Sequence, residues 1–267
     1  IRAIIAAFWR KPYKHKLVRW GTSLYDKYLL PYYVEQDIAD VVQYLNDAGY
    51  AFDKNWFKPF HEFRFPHYGS VSIKDIDMEI RMGIEPWHVL GEEMSSTGTA
   101  RFVDSSLERV QVKIKGINDS RYVLLCNGLR VPLTATETKG EYVCGIRYRA
   151  WQPPSALHPT IGVDTPLTFD IIDTWNGRSI GGCTYYVSHP GGRSYDTFPV
   201  NSFEAESRRI SRFGNTQHSQ GAQFKTTFSV VAHYVENNRL PFVFDAPVPE
   251  INNEFPCTLD MRLKKGV

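Results

Sequence analysis

Ile76-Asp77-Met78-Glu79-Ile80-Arg81 alternates strictly between apolar and charged residues, and this alternation sets the architecture of the chain. Successive side chains of a β-strand point to opposite faces, so the three apolar residues share one face and the three charged residues share the other. The pattern predicts a strand with one face in a hydrophobic core. Its other face carries two carboxylates and a guanidinium.

Residues 62–65 (Glu-Phe-Arg-Phe) alternate in the same way, which predicts another strand with both phenylalanines buried. Glu62 and Arg64 then lie on the charged side of that strand. If the two strands are neighbours, this pair converges with Glu79 and Arg81. We therefore expect charge-assisted hydrogen bonds between the carboxylates and the guanidiniums.

Such a charged face suits ATP-dependent ligation. Carboxylate oxygens are hard ligands, so Glu62 and Glu79 are candidates to hold Mg²⁺. Arginine forks neutralise phosphates and acyl-phosphate intermediates, so Arg64 and Arg81 are candidate catalytic and nucleotide-binding residues. The alternative is a solvent-facing sheet with cross-strand ion pairs. A concave pocket shared by the four side chains distinguishes the first interpretation from the second.

A further cluster of ionisable groups follows at residues 85–93, which contain three carboxylates and an imidazole. Glu85 and His88 are candidate catalytic residues, acting as a general base or a metal ligand. The alternative for His88 is a packed, hydrogen-bonded side chain in a loop. His61 is also ambiguous, because on a regular strand it faces away from Glu62.

The change from helical to strand periodicity predicts an α+β fold. Apolar residues recur at helical spacing over residues 1–9 and over about 34–48, where Gly49 ends the second helix. Residues 94–99 are small and polar, which is typical of a loop, and we place a domain boundary there. Residues 1–94 are then an α+β segment, and residues 95–267 a mostly antiparallel β-sandwich.

Short strand patterns recur beyond residue 99, as expected for a sandwich. Asn127-Gly128 separates two of them, at 122–126 and 129–133, which predicts a hairpin. One short helix is predicted near residues 202–213, where Asn201 and Glu204 resemble a capping box. A last strand at 228–234 and an irregular tail follow.

Composition excludes several classes of protein. The chain has 31 Lys and Arg against 29 Asp and Glu, a net charge of +2, which is too balanced for nucleic-acid or anionic-membrane binding. No apolar run approaches the roughly 20 residues that span a bilayer. Four cysteines without CxxC spacing favour reduced thiols and a cytoplasmic location. No Gly-rich phosphate loop, GxSxG or HExxH motif is present.

Several long motifs resemble the C-terminal region of a bacterial amidoligase family of unknown function. The resembling stretches are residues 18–22 (VRWGT), 48–52 (AGYAF), 62–66 (EFRFP), 85–93 (EPWHVLGEE), 103–106 (VDSS), 147–154 (RYRAWQPP) and 173–179 (DTWNGRS). The resemblance runs from Arg2 to about Phe213 and returns at 255–262. The family pattern has His and then Phe before Glu-Phe-Arg, whereas here Phe60 precedes His61.

Members of that family are long proteins, commonly with an N-terminal transglutaminase-like region, and are grouped with carboxylate-amine ligases by analogy. The resemblance implies ATP- and Mg²⁺-dependent amide-bond formation, with Glu62, Arg64, Glu79 and Arg81 lining the ligase funnel. It also implies that the N-terminal domains of the same protein are partners of this chain. We expect a C-terminal fragment that folds but is inactive alone. The alternative function is a noncatalytic docking module built on the sandwich.

Overall fold

The computed structural model describes residues 1–12, 14, 18–96, 98–150, 162–175, 177–187, 199–210, 212–216 and 253–263, and its fold is α+β. The helices are α1 (Arg2–Arg10), α2 (Ser23–Asp26), α3 (Pro31–Asp47), α4 (Lys58–Arg64) and α5 (Ser202–Ile210), with 3₁₀ turns at Lys27–Leu29, Lys54–Phe57 and Met261–Leu263. The strands are β1 (His67–Ile73), β2 (Ile76–Met82), β3 (Val89–Ser95), β4 (Gly98–Val103), β5 (Leu107–Lys115), β6 (Tyr122–Cys126), β7 (Leu129–Arg130), β8 (Thr134–Ala135), β9 (Glu141–Arg149), β10 (Leu167–Asp173), β11 (Arg178–Tyr185), β12 (Phe213–Thr216) and β13 (Thr258–Asp260).

Two sheets form the centre of the protein. The first sheet has the order β1-β2-β5-β9-β13, with β8 also paired to β9, and the second has the order β12-β11-β10-β6-β7. Neighbouring strands are antiparallel except β13, which runs parallel to β9. Apolar side chains of both sheets belong to one buried cluster, so the two sheets form a sandwich around a common core.

The first sheet has two chemically different faces. Met78 and Ile80 of β2 and Val112 of β5 are buried in the sandwich core. Because strand side chains alternate, their neighbours point to the other side of the sheet. We call this second side the charged face, and its residues include Glu79, Arg81, Arg109, Gln111, Lys113 and Arg147. The alternation predicted for residues 76–81 is therefore confirmed.

Helix α3 covers part of the charged face. It begins at Pro31, a residue whose fixed φ suits the first turn, and runs over 31–47 where the sequence predicted 34–48. Leu30 and Tyr33 pack on Val143 of β9 in a small buried cluster. The backbone N–H of Tyr32 donates to Oε1 of Gln111 at 2.9 Å. The start of the helix is thus fixed to the sheet by both apolar and polar contacts.

The part of the charged face beside α3 is a buried ionic network. Glu85 accepts hydrogen bonds from Nε of Arg109 at 3.0 Å and from Nε of Arg147 at 3.1 Å, and all three side chains are at most 1% exposed. Nη1 of Arg109 also donates to the carbonyl oxygens of Tyr25 and Asp26. Burial lowers the pKa of Arg109, and the charge of Glu85 opposes that shift. Glu85 therefore neutralises two arginines that face each other on β5 and β9.

A second buried carboxylate joins distant parts of the chain. Asp26 of α2 accepts a hydrogen bond from the backbone N–H of Cys257 at 2.9 Å and from Oγ1 of Thr258 at 2.6 Å. Asp260, two residues further on, lies 3.5 Å from Nη1 of Arg147. These contacts tie β13 to the N-terminal helices across the charged face.

The strand predicted at 62–65 is wrong, because these residues lie at and just beyond the end of helix α4. Four residues are too few to separate strand from helical periodicity, and Pro59 in the first turn favours a helix start. Phe65 is buried as expected, but Phe63 is 86% exposed. Residues two apart on a helix point in different directions, so Glu62 and Arg64 do not share a face.

The loop predicted at 94–99 includes paired strand residues, because Met94 and Ser95 at the end of β3 pair with Thr99 and Gly98 at the start of β4 in a hairpin. Strand β2 precedes this hairpin, strand β5 follows it, and the two pair directly in the first sheet. The sheet therefore continues across the proposed boundary between residues 94 and 95. Small polar residues suit a tight turn as well as a linker, which is why composition did not distinguish the two.

Other predictions are confirmed where the structure describes the residues. Strands β6 and β7 form the hairpin across Asn127 and Gly128, which have φ of 47° and 82°. Asn201 accepts a hydrogen bond from the N–H of Glu204, as in a capping box, whereas Glu204 accepts one from the N–H of Val200, one residue before the cap. The strand predicted at 228–234 lies outside the described residues. Across the described ranges, no helix has the length and apolar character needed to span a membrane.

Replacing Glu85 with Gln tests the ionic network. We expect the free energy of unfolding to fall by about 3–5 kcal/mol, because Arg109 loses its carboxylate partner and Arg147 keeps only Asp260, at 3.5 Å. The control is Glu92→Gln in the exposed Glu92–Arg101 pair, which should cost under about 1 kcal/mol. Urea denaturation measures both. Equal losses in the two variants would contradict a buried network.

Candidate functional site

A cleft of about 430 Å³ opens beside the ionic network, where α3 and the segment from Lys54 to Glu62 stand over the charged face. Its side walls come from helices and its floor from β2 and β5. The lining residues are Pro31, Tyr32, Glu35, Ile38, Ala39, Lys54, Asn55, Phe57, Lys58, His61, Glu62, Glu79, Arg81, Gln111 and Lys113. The cleft thus combines apolar, aromatic and charged groups.

Arg81 gathers two carboxylates in this cleft. Its Nη1 donates to the two carboxylate oxygens of Glu62 at 3.0 and 2.9 Å, and its Nε bonds to Oε1 of Glu79. Nη1 also donates to the carbonyl oxygen of Phe65 at 3.2 Å. Burial lowers the pKa of Arg81, but the hydrogen bond to Glu62 and the charge of Glu79 outweigh it and raise the pKa. The guanidinium is therefore firmly charged and fixed in position.

The structure brings together three of the four charged residues selected from the sequence. Glu62, Glu79 and Arg81 share one concave cleft, so this part of the charged face is not a convex surface. The contact joins a helix to a strand, rather than two strands as predicted. Arg64 is exposed at the end of α4 and does not line the cleft.

The carboxylates of the cleft do not fit a resident Mg²⁺ ion. Glu62 and Glu79 both already bind Arg81, which occupies the space between them with a positive charge. Among the described residues, no group of three or more His, Cys, Asp or Glu side chains is arranged to hold a metal. A divalent ion needs several oxygen ligands, so it would have to displace Arg81.

The other two candidate catalytic residues lie outside the cleft. Glu85 is enclosed in the ionic network described above and contacts Arg109 and Arg147. His88 is exposed next to β3, and its carbonyl oxygen accepts the N–H of Asp104 at 2.9 Å. The structure therefore gives Glu85 a structural environment and does not bring His88 to the cleft.

Sequence reasoning missed two residues on the floor of the cleft, Gln111 and Lys113. Both lie on β5 opposite β2, where Gln111 pairs with Arg81 and Lys113 with Glu79. The alternation of polar and apolar residues in β2 is also present in β5, and it indicates that Gln111 and Lys113 lie on the polar face of their strand. What the sequence lacked was the register that places the two strands side by side.

His61 also lines the cleft, contrary to its expected position away from Glu62. The two residues are adjacent on α4, and Nε2 of His61 lies 3.2 Å from the carbonyl oxygen of Pro31. This contact joins the start of α3 to α4. His61 therefore closes one corner of the cleft between the two helices.

The positive charges of the cleft fall into two groups. Nζ of Lys113 lies 3.3 Å from Oε1 of Glu141 and over the ring of Tyr32, so this lysine already has an anionic partner. Lys54 and Lys58 are exposed at the opposite wall, and within the described part of the chain neither has a carboxylate partner. The wall formed by residues 54–58 is therefore open to an anionic ligand.

The fold and the cleft define an α+β protein with a ligand-sized polar site on one face of a sandwich. The chain matches, over residues 1–262, the family described as "Putative amidoligase enzyme (DUF2126)", and it belongs to that family. The match includes every residue that lines the cleft and confirms the resemblance found in the sequence. No curated protein and no solved structure matches the chain.

A double-mutant cycle on Glu62→Gln and Arg81→Met tests the contact that closes the cleft. We expect a coupling free energy of about 0.5–1 kcal/mol, because the ion pair is hydrogen-bonded but partly exposed. The matched cycle uses Glu62→Gln with Arg64→Met, where the coupling should lie within about 0.3 kcal/mol of zero. Chemical denaturation of the variants gives both values. Equal coupling in the two cycles would show that α4 does not dock through Arg81.

Proposed function

We propose that this chain takes part in ATP- and Mg²⁺-dependent amide-bond formation, and that the acid substrate binds in the cleft. The observation that carries the proposal is the convergence of Glu62, Glu79 and Arg81 in one concave site. Membership of the amidoligase family supports ligase chemistry at that coarse level. The cleft volume of about 430 Å³ also suits a small molecule.

The chemistry of such a ligation proceeds in two steps. The carboxylate of the acid attacks the terminal phosphorus of ATP, which gives an acyl phosphate and ADP. The amine then attacks the acyl carbon, which gives the amide, inorganic phosphate and a released proton. ATP enters as a co-substrate with Mg²⁺ on its phosphates. Both steps move negative charge, so fixed positive groups near the acid accelerate them.

The residues of the cleft have distinct parts in this proposal. Arg81 is proposed to donate a hydrogen bond from its guanidinium to the reacting acid, and Glu79 holds the guanidinium in place. Glu62 is the more exposed of the two carboxylates, with 56% of its side chain accessible against 28% for Glu79. It is therefore the better placed to accept the proton released by the amine.

The nucleotide site is proposed to need parts of the longer protein outside this chain. The support is that the carboxylates of the cleft are occupied by Arg81 and that the described residues hold no metal-ligand cluster. We expect calorimetry on the isolated chain to show Mg-ATP binding no tighter than millimolar. Micromolar affinity would place a complete nucleotide site within these 267 residues and contradict this part of the proposal.

Ligase activity can be tested without knowing the amine, because hydroxylamine traps acyl phosphates as hydroxamates. The full-length protein is incubated with ATP, Mg²⁺, hydroxylamine and a set of small organic acids. We expect hydroxamate from at least one acid, and Arg81→Ala should lower the rate about 100-fold because it removes a charge from the reacting centre. Arg64→Ala, an equal charge change on α4 outside the cleft, is the control. Equal rates in Arg81→Ala and Arg64→Ala would show that ligation does not take place in the cleft.

A docking role is the second candidate function. The β3–β4 hairpin belongs to neither sheet of the sandwich and carries the exposed apolar side chains of Leu90, Met94 and Phe102. Exposed apolar groups of this kind mark interaction surfaces. Absence of hydroxamate from every acid, in a protein that is folded, would favour this candidate over ligation.

A further inference from the structure

Gln111 presents a hydrogen-bond donor to the cleft that nothing described in the protein uses. The residue is 2% exposed, and its Oε1 accepts the N–H of Tyr32 at 2.9 Å. That bond fixes the orientation of the amide, because a backbone N–H requires an acceptor. Nε2 is left on the cleft side, and the described residues place no acceptor within hydrogen-bond distance of it. The amide nitrogen is therefore available to donate to a ligand in the cleft.

Charge on the opposite wall points to the same kind of ligand. Lys54 and Lys58 line the cleft, and neither has a carboxylate partner within the described ranges. Arg81 is already paired with Glu62 and Glu79, and Lys113 with Glu141. Of the other charges that line the cleft, the two lysines exceed the single carboxylate of Glu35. A ligand with an anionic group and an oxygen acceptor would satisfy both the lysines and the amide of Gln111.

The start of α3 disfavours phosphate as that anion. Phosphates commonly bind the free backbone N–H groups of a helix N-terminus. Here Pro31 has no N–H, Tyr32 donates to Gln111, and Tyr33 and Val34 both donate to the carbonyl oxygen of Leu30. The first turn that lines the cleft therefore has no amide left for phosphate oxygens.

The carbon-lined walls favour an organic acid. Ile38 and Ala39 of α3 and Phe57 line the cleft, so part of its surface is apolar. A phosphate ion gains nothing from such surface, whereas the hydrocarbon part of an organic acid buries against it. The volume of about 430 Å³ is near the lower end of ligand sites, which limits the acid to a small one.

We infer that the cleft binds a small organic carboxylate, with Nε2 of Gln111 donating to one of its oxygens and with Lys54 and Lys58 neutralising its charge. The inference rests on the proposed function, because it names the acid substrate of the ligation and the residues that hold it. Gln111 and Lys58 are then binding residues, and Gln111 lies opposite Arg81 in the pairing of β5 with β2.

The test uses succinate as the probe and calorimetry as the measurement. Gln111→Glu keeps the oxygen that accepts the Tyr32 N–H but replaces the free donor with an acceptor. We expect saturable succinate binding to the chain and an affinity about tenfold lower in Gln111→Glu. Inorganic phosphate should bind more weakly than succinate. Equal or tighter binding of phosphate would overturn the assignment to a carboxylate.

Lys58→Met keeps the test decisive if Gln111→Glu fails to fold, since Lys58 is exposed and its loss leaves the core intact. This variant should weaken succinate binding several-fold. Arg64→Met removes the same charge from the same helix outside the cleft and should leave the affinity unchanged. Equal affinities of Lys58→Met and Arg64→Met, or no saturable binding to the unmodified chain, would overturn the inference.

Failure of this inference and failure of ligation give different results. Succinate binding that depends on Gln111, without hydroxamate from any acid, would leave the carboxylate site in place and remove the ligase proposal. Hydroxamate formation at an unchanged rate in full-length Gln111→Glu would leave the ligase proposal in place and remove the carboxylate site, because ligation would then use another acid site.

Discussion

The ion pairs of Glu85 with Arg109 and Arg147 hold the charged face of the first sheet together. The two arginines lie opposite each other on β5 and β9, so the charged face would be strongly repulsive without a carboxylate between them. Neutralising them requires the segment that carries Glu85 to fold over the sheet, together with the carbonyl groups of Tyr25 and Asp26. One side of the first sheet is thereby buried against apolar side chains and the other against charged ones.

The cleft is the part of the same charged face that the covering segments leave open. Helix α3 is fixed at Gln111 and α4 at Arg81, so the two helices stand over the sheet without closing the space between them. Arg81, Gln111 and Lys113 remain accessible from that space. A single sheet face therefore carries a buried ionic network at one end and an open cleft at the other.

Much of the fold could be predicted from the sequence because period-two alternation in β2, β5 and β9 is long enough to be unambiguous. The four residues 62–65 were too few, and the signal of Pro59 for a helix start outweighed their alternation. Glu62 pairs with Arg81 as expected, but from helix α4 rather than from a neighbouring strand. The partners of Glu85 and the role of Gln111 depend on strand register and on covering segments, which no local pattern encodes. Strands β2 and β5 pair across the boundary proposed between residues 94 and 95. This pairing also depends on strand register, so composition alone did not reveal it.

We propose that an organic acid binds in the cleft on the charged face, and a crystal structure of the chain grown with succinate tests this. We expect a carboxylate oxygen within hydrogen-bond distance of Nε2 of Gln111, with Arg81 still held between Glu62 and Glu79. Succinate bound elsewhere with the cleft vacant, or a cleft in which Arg81 has left both carboxylates, would contradict it.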